Sequence, residues 1–124
     1  MSEIRQGQVY WIDFGPAVRS APALRHPLVQ ELKAHCVVVQ NDVFNRSTIA
    51  TAVVCLITSN LSRANAPGNV LLKKGEANLS KACVVNVSQI LTVDKTELVE
   101  NTGKLSGTAV MAVRGGLHLL FDKL

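Results

Sequence analysis

Polar and apolar residues alternate from Gln8 to Phe14 (QVYWIDF). Val9, Trp11 and Asp13 fall on one face, Tyr10, Ile12 and Phe14 on the other, and Gly15-Pro16 ends the run. That period predicts a strand. Cys36 to Gln40 (CVVVQ) and Thr51 to Thr58 (TAVVCLIT) are almost continuously apolar and β-branched. Such runs predict strands buried on both faces, here joined by a polar connection over Val43 to Ser47. Asn69 to Lys73 and Ala82 to Thr92 predict two or three more strands, separated by the turn-rich KKGEANLSK. Between the first strand and CVVVQ, Ala17 to Pro27 carries two further prolines among small residues and reads as an ordered loop. Leu28 to Ala34 favours helix by residue type but is too short to nucleate one alone, so its conformation stays open.

Later in the chain the period changes. Asp94 stands three places before Glu97, a capping-box spacing that predicts one helical turn. From Ser106, the apolar residues Val110, Val113, Leu117, Leu120 or Phe121, and Leu124 recur at helical spacing and predict a helix laid across the sheet. Gly115-Gly116 interrupts that stripe at about 1 kcal/mol per glycine relative to alanine. The expected fold is mainly β with a C-terminal helix, a small, strongly curved antiparallel barrel or sheet. It is expected to be a single domain over residues 1–124, with no internal repeat or linker.

Composition narrows the functional classes. Apolar residues make up 48% and charged residues 18%, far from the signature of a disordered chain. The net charge of +4 favours an anionic partner such as nucleic acid without establishing one. Cys36, Cys55 and Cys83 are odd in number and each lies in an apolar run, so they read as small core residues in a reducing compartment. No run approaches the length of a membrane span and the N-terminus lacks a secretion signal, which points to a cytoplasmic protein without a membrane partner. Zinc-type Cys/His spacings, a phosphate-cradling Gly-rich loop, H-E-x-x-H and G-x-S-x-G are all missing, so no metal and no cofactor is expected.

What remains is a set of polar groups at strand ends: Arg25 and His26 before the second strand, Thr58-Ser59-Asn60 after the third, and Ser88-Gln89 further on. Guanidinium, hydroxyl and imidazole together suit a phosphodiester, because arginine holds phosphate through parallel hydrogen bonds and steadies developing charge. RNA supplies its own nucleophile in the ribose 2′-OH, leaving the protein to provide a base, an acid and charge stabilisation. Each group also has an ordinary reading. Thr58 and Ser59 end a strand in a turn, and Arg25 and His26 are solvated loop residues. His118 belongs to the helix, Lys73-Lys74 with Arg63 form a solvated face, and Tyr10, Trp11 and Phe14 belong to the core.

Six blocks, RQGQVYWIDFGP, RHP, VVVQND, VVCLITSN, NVLL and VSQILTVDK, follow one another in an order that resembles the MazF/PemK family of bacterial toxins. The resemblance spans nearly the whole chain. It implies an SH3-like or CcdB-like barrel with a C-terminal helix, acting as a homodimer. It also implies a metal-independent, sequence-specific endoribonuclease of a type II toxin-antitoxin system that cuts single-stranded mRNA through a 2′,3′-cyclic phosphate and so inhibits translation and growth. A cognate antitoxin would cover the same surface. Carried onto this chain, the family's arginine beside proline matches Arg25, and its threonine closing the AAIT-like strand matches Thr58; His26 would exchange protons. Ser59, Asn60, Gln89, Lys33 and His35 would contact RNA. The family's arginine directly precedes proline and the strand, whereas here Leu28 to Ala34 intervene. If the strand alone sets the alignment, Lys33 or His35 takes the arginine's place. Two further readings stand beside this one: a non-catalytic toxin of the same fold that binds DNA gyrase, and a basic barrel that binds nucleic acid without cutting it.

Overall fold

The alternating and β-branched runs pair into one antiparallel sheet. In the computed structural model, which describes residues 3–13 and 33–123, the strands are β1 (Gln8–Asp13), β2 (Lys33–Val38), β3 (Thr51–Thr58), β4 (Val70–Leu72), β5 (Cys83–Asp94) and β6 (Glu100–Lys104). Their order across the sheet is β4-β5-β3-β2-β1-β6. A short helix α1 (Asp42–Asn45) joins β2 to β3, and α2 (Gly107–Phe121) follows β6.

The apolar runs are explained by burial on both faces. Tyr10, Cys36, Val38, Val54 and Leu56 pack on one side of the sheet, while Val9, Val37, Cys55, Ile57 and Val85 pack on the other beneath Ala109 and Val113 of α2. All three cysteines are buried free thiols, as expected; loss of hydration pushes Cys36 and Cys55 up to about 12. The sheet curls because β5 bends. Cys55 faces Ile90 but Leu56 faces Asn86, so Val87-Ser88-Gln89 form a bulge. A bulge turns and twists its strand, which lets the two halves of β5 face different neighbours. The first half of β5 pairs with β4 and the end of β3, and the second half with the start of β3.

Several sequence expectations shift. β2 begins at Lys33, ahead of the apolar run, because Lys33 to Val37 pair residue for residue with Asp13 to Val9. β6 has no apolar alternation, being an edge strand of sequence ENTGK whose partner is β1 alone, so pattern reading passes over it. The connection after β2 is helical at Asp42–Asn45, started by Asn41, whose side chain accepts from Val43 N–H at 2.8 Å. At Lys95–Glu97 the expected turn forms as a 3-10 turn, but Asp94 makes no side-chain cap bond there. In α2, Val113 is buried and Val110 and Leu117 are partly buried, whereas Leu120 and Phe121 are exposed. The stripe thus covers the sheet only through its first half; Leu124 lies outside the described residues.

The Gly115-Gly116 pair does not interrupt α2. Gly116 meets Gly68, whose φ of +76° suits glycine, and a Cβ on Gly116 would overlap the Gly68 carbonyl; a Cβ on Gly115 would meet nothing within 4 Å. The helix can therefore lie against the 59–69 connection only because position 116 has no side chain.

A second fastening joins two of the family-like blocks. Gln40 donates to Asn45 Oδ1 at 3.0 Å and to the Thr51 carbonyl at 3.1 Å, while Asp42 accepts from Gln6 N–H at 2.7 Å and Asn45 Nδ2 at 3.0 Å. These bonds hold Asp42 below the usual carboxylate range. From the VDK block, Lys95 Nζ reaches the carbonyls of Asn45 at 3.0 Å, Ser47 at 3.1 Å and Phe44 at 3.4 Å, so its three donors end α1.

Two outcomes follow for stability. Gly116→Ala should lose about 2 kcal/mol because the backbone contact forces a shift, whereas Gly115→Ala should gain about 0.5–1 kcal/mol from helix propensity; urea midpoints of the two variants check the opposite signs. Lys95→Met should lower the thermal midpoint by about 4–8 °C, corresponding to about 1–2 kcal/mol of charge-assisted bonding, measurable by calorimetry.

Candidate active site

The antiparallel pairing of β2 with β3 sets the start of one strand beside the end of the other. His35 pairs with Ile57, and continuing that register sets Ala34 opposite Thr58, with Val84 of β5 on Thr58's other side. The chain leaves the described structure at Asp13 and returns at Lys33, and these two are themselves paired across β1 and β2. One end of the sheet therefore gathers Asp13, Lys33, His35 and Thr58-Ser59-Asn60. Arg25 and His26 lie outside the described residues.

Thr58 is half-buried, and its Oγ1 accepts the Asn60 N–H at 3.1 Å. A hydroxyl that accepts through one lone pair keeps its own proton to donate, so Thr58 is oriented by the turn and still able to bond a phosphate oxygen. Asn60 starts the 3-10 turn Leu61–Asn65, its Oδ1 accepting from Ser62 N–H at 3.2 Å and Ser62 Oγ at 2.7 Å. Its amide NH2 group lies outside those two bonds, and both Ser59 and Asn60 are exposed. The turn reading and the site reading of these residues thus coexist in one geometry.

Alternation divides the candidates between two faces. His35 and Lys33 lie on the Ile57 face, opposite to Thr58, whose partner position on β2 is Ala34. Lys33 Nζ contacts Glu100 at 3.6 Å, an exposed pair of small energetic weight. His35 stacks on Trp11, with ring centroids 3.7 Å apart and planes 31° from parallel. Burial lowers the His35 pKa, so its imidazole is neutral at pH 7. No described β2 side chain on Thr58's face supplies a cation, so the strand's own register does not place Lys33 or His35 in the arginine's role.

Gln89 sits in the β5 bulge opposite Cys55 and Leu56, about two or three residues, or 7–10 Å, back along β3 from Thr58. Ser88 is tied to Asn86, whose Oδ1 accepts its N–H at 3.3 Å and its hydroxyl at 2.9 Å. Of the residues expected in the core, Tyr10 is buried but Trp11 is only half so, and Phe14 lies outside the described residues. Trp11 is a residue that sequence reading passed over as packing; its place across from His35 became visible only with the register of β1 against β2. Lys73 and Lys74 are exposed as expected, but Arg63 is half-buried, with Nε enclosed and without a hydrogen-bond partner. His118 bonds Asp122 one helical turn on, at 3.0 Å, and takes no part in this end of the sheet. Among the described residues no group of three or more His, Cys, Asp or Glu gathers as a metal site.

Known proteins resemble this chain along nearly their full length. Endoribonuclease MazF6 of Mycobacterium tuberculosis is 36% identical over 119 residues, covering 96% of this chain and 97% of its own. Endoribonuclease MazF of Staphylococcus epidermidis is 31% identical over 116 residues, covering 94% and 89%. Among solved structures, a mycobacterial endoribonuclease in complex with its cognate antitoxin superposes with a TM-score of 0.69 at 22% identity, over 96% of this chain and 93% of that one. The MazE-MazF structure from Deinococcus radiodurans does so with a TM-score of 0.70 at 18% identity, over 100% of both. These two superpositions establish the shared fold, the curled sheet with a C-terminal helix that the pattern predicted. Nothing in these likenesses supports the gyrase-binding alternative. A family model described as the PemK-like, MazF-like toxin of type II toxin-antitoxin systems matches residues 5–121, and the chain belongs to that family.

Proposed function

We propose that this chain is the toxin of a toxin-antitoxin pair, an endoribonuclease that cuts single-stranded mRNA at the sheet end marked by Thr58. The observation that carries the reading is Thr58 itself, on a turn that aims its hydroxyl from the end of β3 beside the two points where the segment bearing Arg25 joins the sheet. The family match supports it, since relatives at 31–36% identity over nearly the full chain are named endoribonucleases. Because Thr58's neighbour on β2 is Ala34, the cation for the scissile phosphate is assigned to Arg25 rather than to Lys33 or His35.

The chemistry is transesterification. The 2′-OH attacks the adjacent phosphorus and the P–O5′ bond breaks, leaving a 2′,3′-cyclic phosphate, while the proton lost from the 2′-OH is balanced by one gained at the 5′-oxygen. Thr58 donates to a non-bridging oxygen, Arg25 bonds the same phosphate, and His26 moves a proton. Asn60, Ser59 and Lys33 lie where the backbone on either side would pass. The active form is a homodimer working in the cytoplasm, where its substrate is, and a cognate antitoxin silences it by covering this end of the sheet. Among the described residues no helix is long and apolar enough to cross a membrane.

Purified protein incubated with a long transcript in EDTA should cut at fixed positions and leave 5′-hydroxyl ends. Thr58→Ala and Arg25→Ala should each slow cleavage by about 10²–10³-fold, with thermal midpoints near that of the parent. An Arg25→Ala protein that cuts at the parental rate would remove Arg25 from the site, and a parent that leaves the transcript intact would remove the activity.

A further inference from the structure

We infer that the stacked pair Trp11–His35 is a platform for one unpaired base of the RNA beside the scissile bond. This rests on the endoribonuclease reading above. The two rings face each other from paired positions on β1 and β2, centroids 3.7 Å apart, and both side chains are only half-buried. Their row across the sheet continues on one side to Ile57 and Val85, which are sealed in the core, and on the other to Glu100 of edge strand β6. The row is therefore anchored at one flank and open at the other.

Three features favour a base over a structural role. An indole and a neutral imidazole offer π-faces that accept any base, and such stacking is tolerant of sequence. Burial keeps the imidazole uncharged at pH 7, so the pair carries no cation of its own. Attraction for the backbone comes instead from the chain's net charge of +4, since Lys33 on this face is paired with Glu100. Finally, His35 and Thr58 are only one residue step apart across the β2–β3 pairing, on opposite faces. A nucleotide whose phosphate meets Thr58 at the strand end can turn a neighbouring base over that end onto the aromatic pair.

Trp11 is the only tryptophan in the chain, so its emission reports on this place alone. The probe is a labelled oligonucleotide centred on the mapped cleavage position, with 2′-O-methyl at the attacking ribose so that it binds without being cut. Saturating it should change Trp11 emission in step with the anisotropy of the labelled strand. His35→Ala should weaken binding about tenfold and raise KM while kcat stays within about threefold, and His35→Phe should restore affinity by keeping a stacking face. Anisotropy that reports binding while Trp11 emission stays constant would overturn the platform and leave the nuclease reading intact. The same holds if His35→Ala binds as tightly as the parent. A parent that neither cuts the transcript nor binds a matching unmodified strand would overturn both.

Discussion

The structure depends on β3 being buried on both faces in the middle of the sheet. Its residues alternate between two cores, Ala52, Val54 and Leu56 on one side and Cys55 and Ile57 on the other. A one-residue slip would carry each of these into the opposite core, where neighbours of a different size are already packed. That constraint sets the register of β2 on one flank and β5 on the other. The register in turn decides which side chains stand near Thr58. The site is thus a consequence of core packing: Thr58 follows Ile57, and Ile57 has one place it can go.

The same constraint explains why the VVVQND block and the VDK end of VSQILTVDK carry structure rather than candidate chemistry. Gln40, Asn41 and Asp42 end β2, start α1 and fasten the N-terminal segment through Gln6. Lys95 closes α1 from the far end of β5. None of these is near Thr58, since they stand at the opposite end of β2 and β3. Asn45, at the centre of these bonds, is buried, and a buried amide is costly unless its partners are present, so such exacting geometry admits few residue types. These two stretches mark the fold because the fold needs them, and the candidate Thr58 stands at the other end of the strands.

Legibility from sequence followed burial. TAVVCLIT, bounded by both cores, has the same limits in pattern and in structure as β3, and the pattern over Gln8 to Phe14 covers β1, whose described part ends at Asp13. β6 escaped because an edge strand with one partner needs no apolar face, and the start of β2 because Lys33 and His35 are held by pairing rather than by burial. The glycines of α2 look like a flaw in a one-dimensional pattern and become a contact surface once Gly68 is placed against them. Thr58 was legible as the polar end of an apolar run. Trp11 was not, since a tryptophan beside a strand core has packing as its ordinary explanation, and only pairing with His35 gives it another.

The insertion before the apolar run poses the remaining question, and the register answers part of it. Were the run alone to fix the site, a cation from β2 would have to share Thr58's face, and on that face the residue opposite is Ala34. Lys33 and His35 flank it on the wrong side, and a strand cannot present adjacent residues on one face without a bulge. The β1–β2 pairing is continuous from Val9↔Val37 to Asp13↔Lys33, with no such irregularity. The register thus favours the proposal that the cation comes from beyond β2, where the chain between Asp13 and Lys33 contains Arg19 and Arg25 as its arginines, of which Arg25 stands in the RHP block. The inserted residues separate that block from the strand in sequence, while Asp13 and Lys33, which bound the connection, are paired with each other in the sheet.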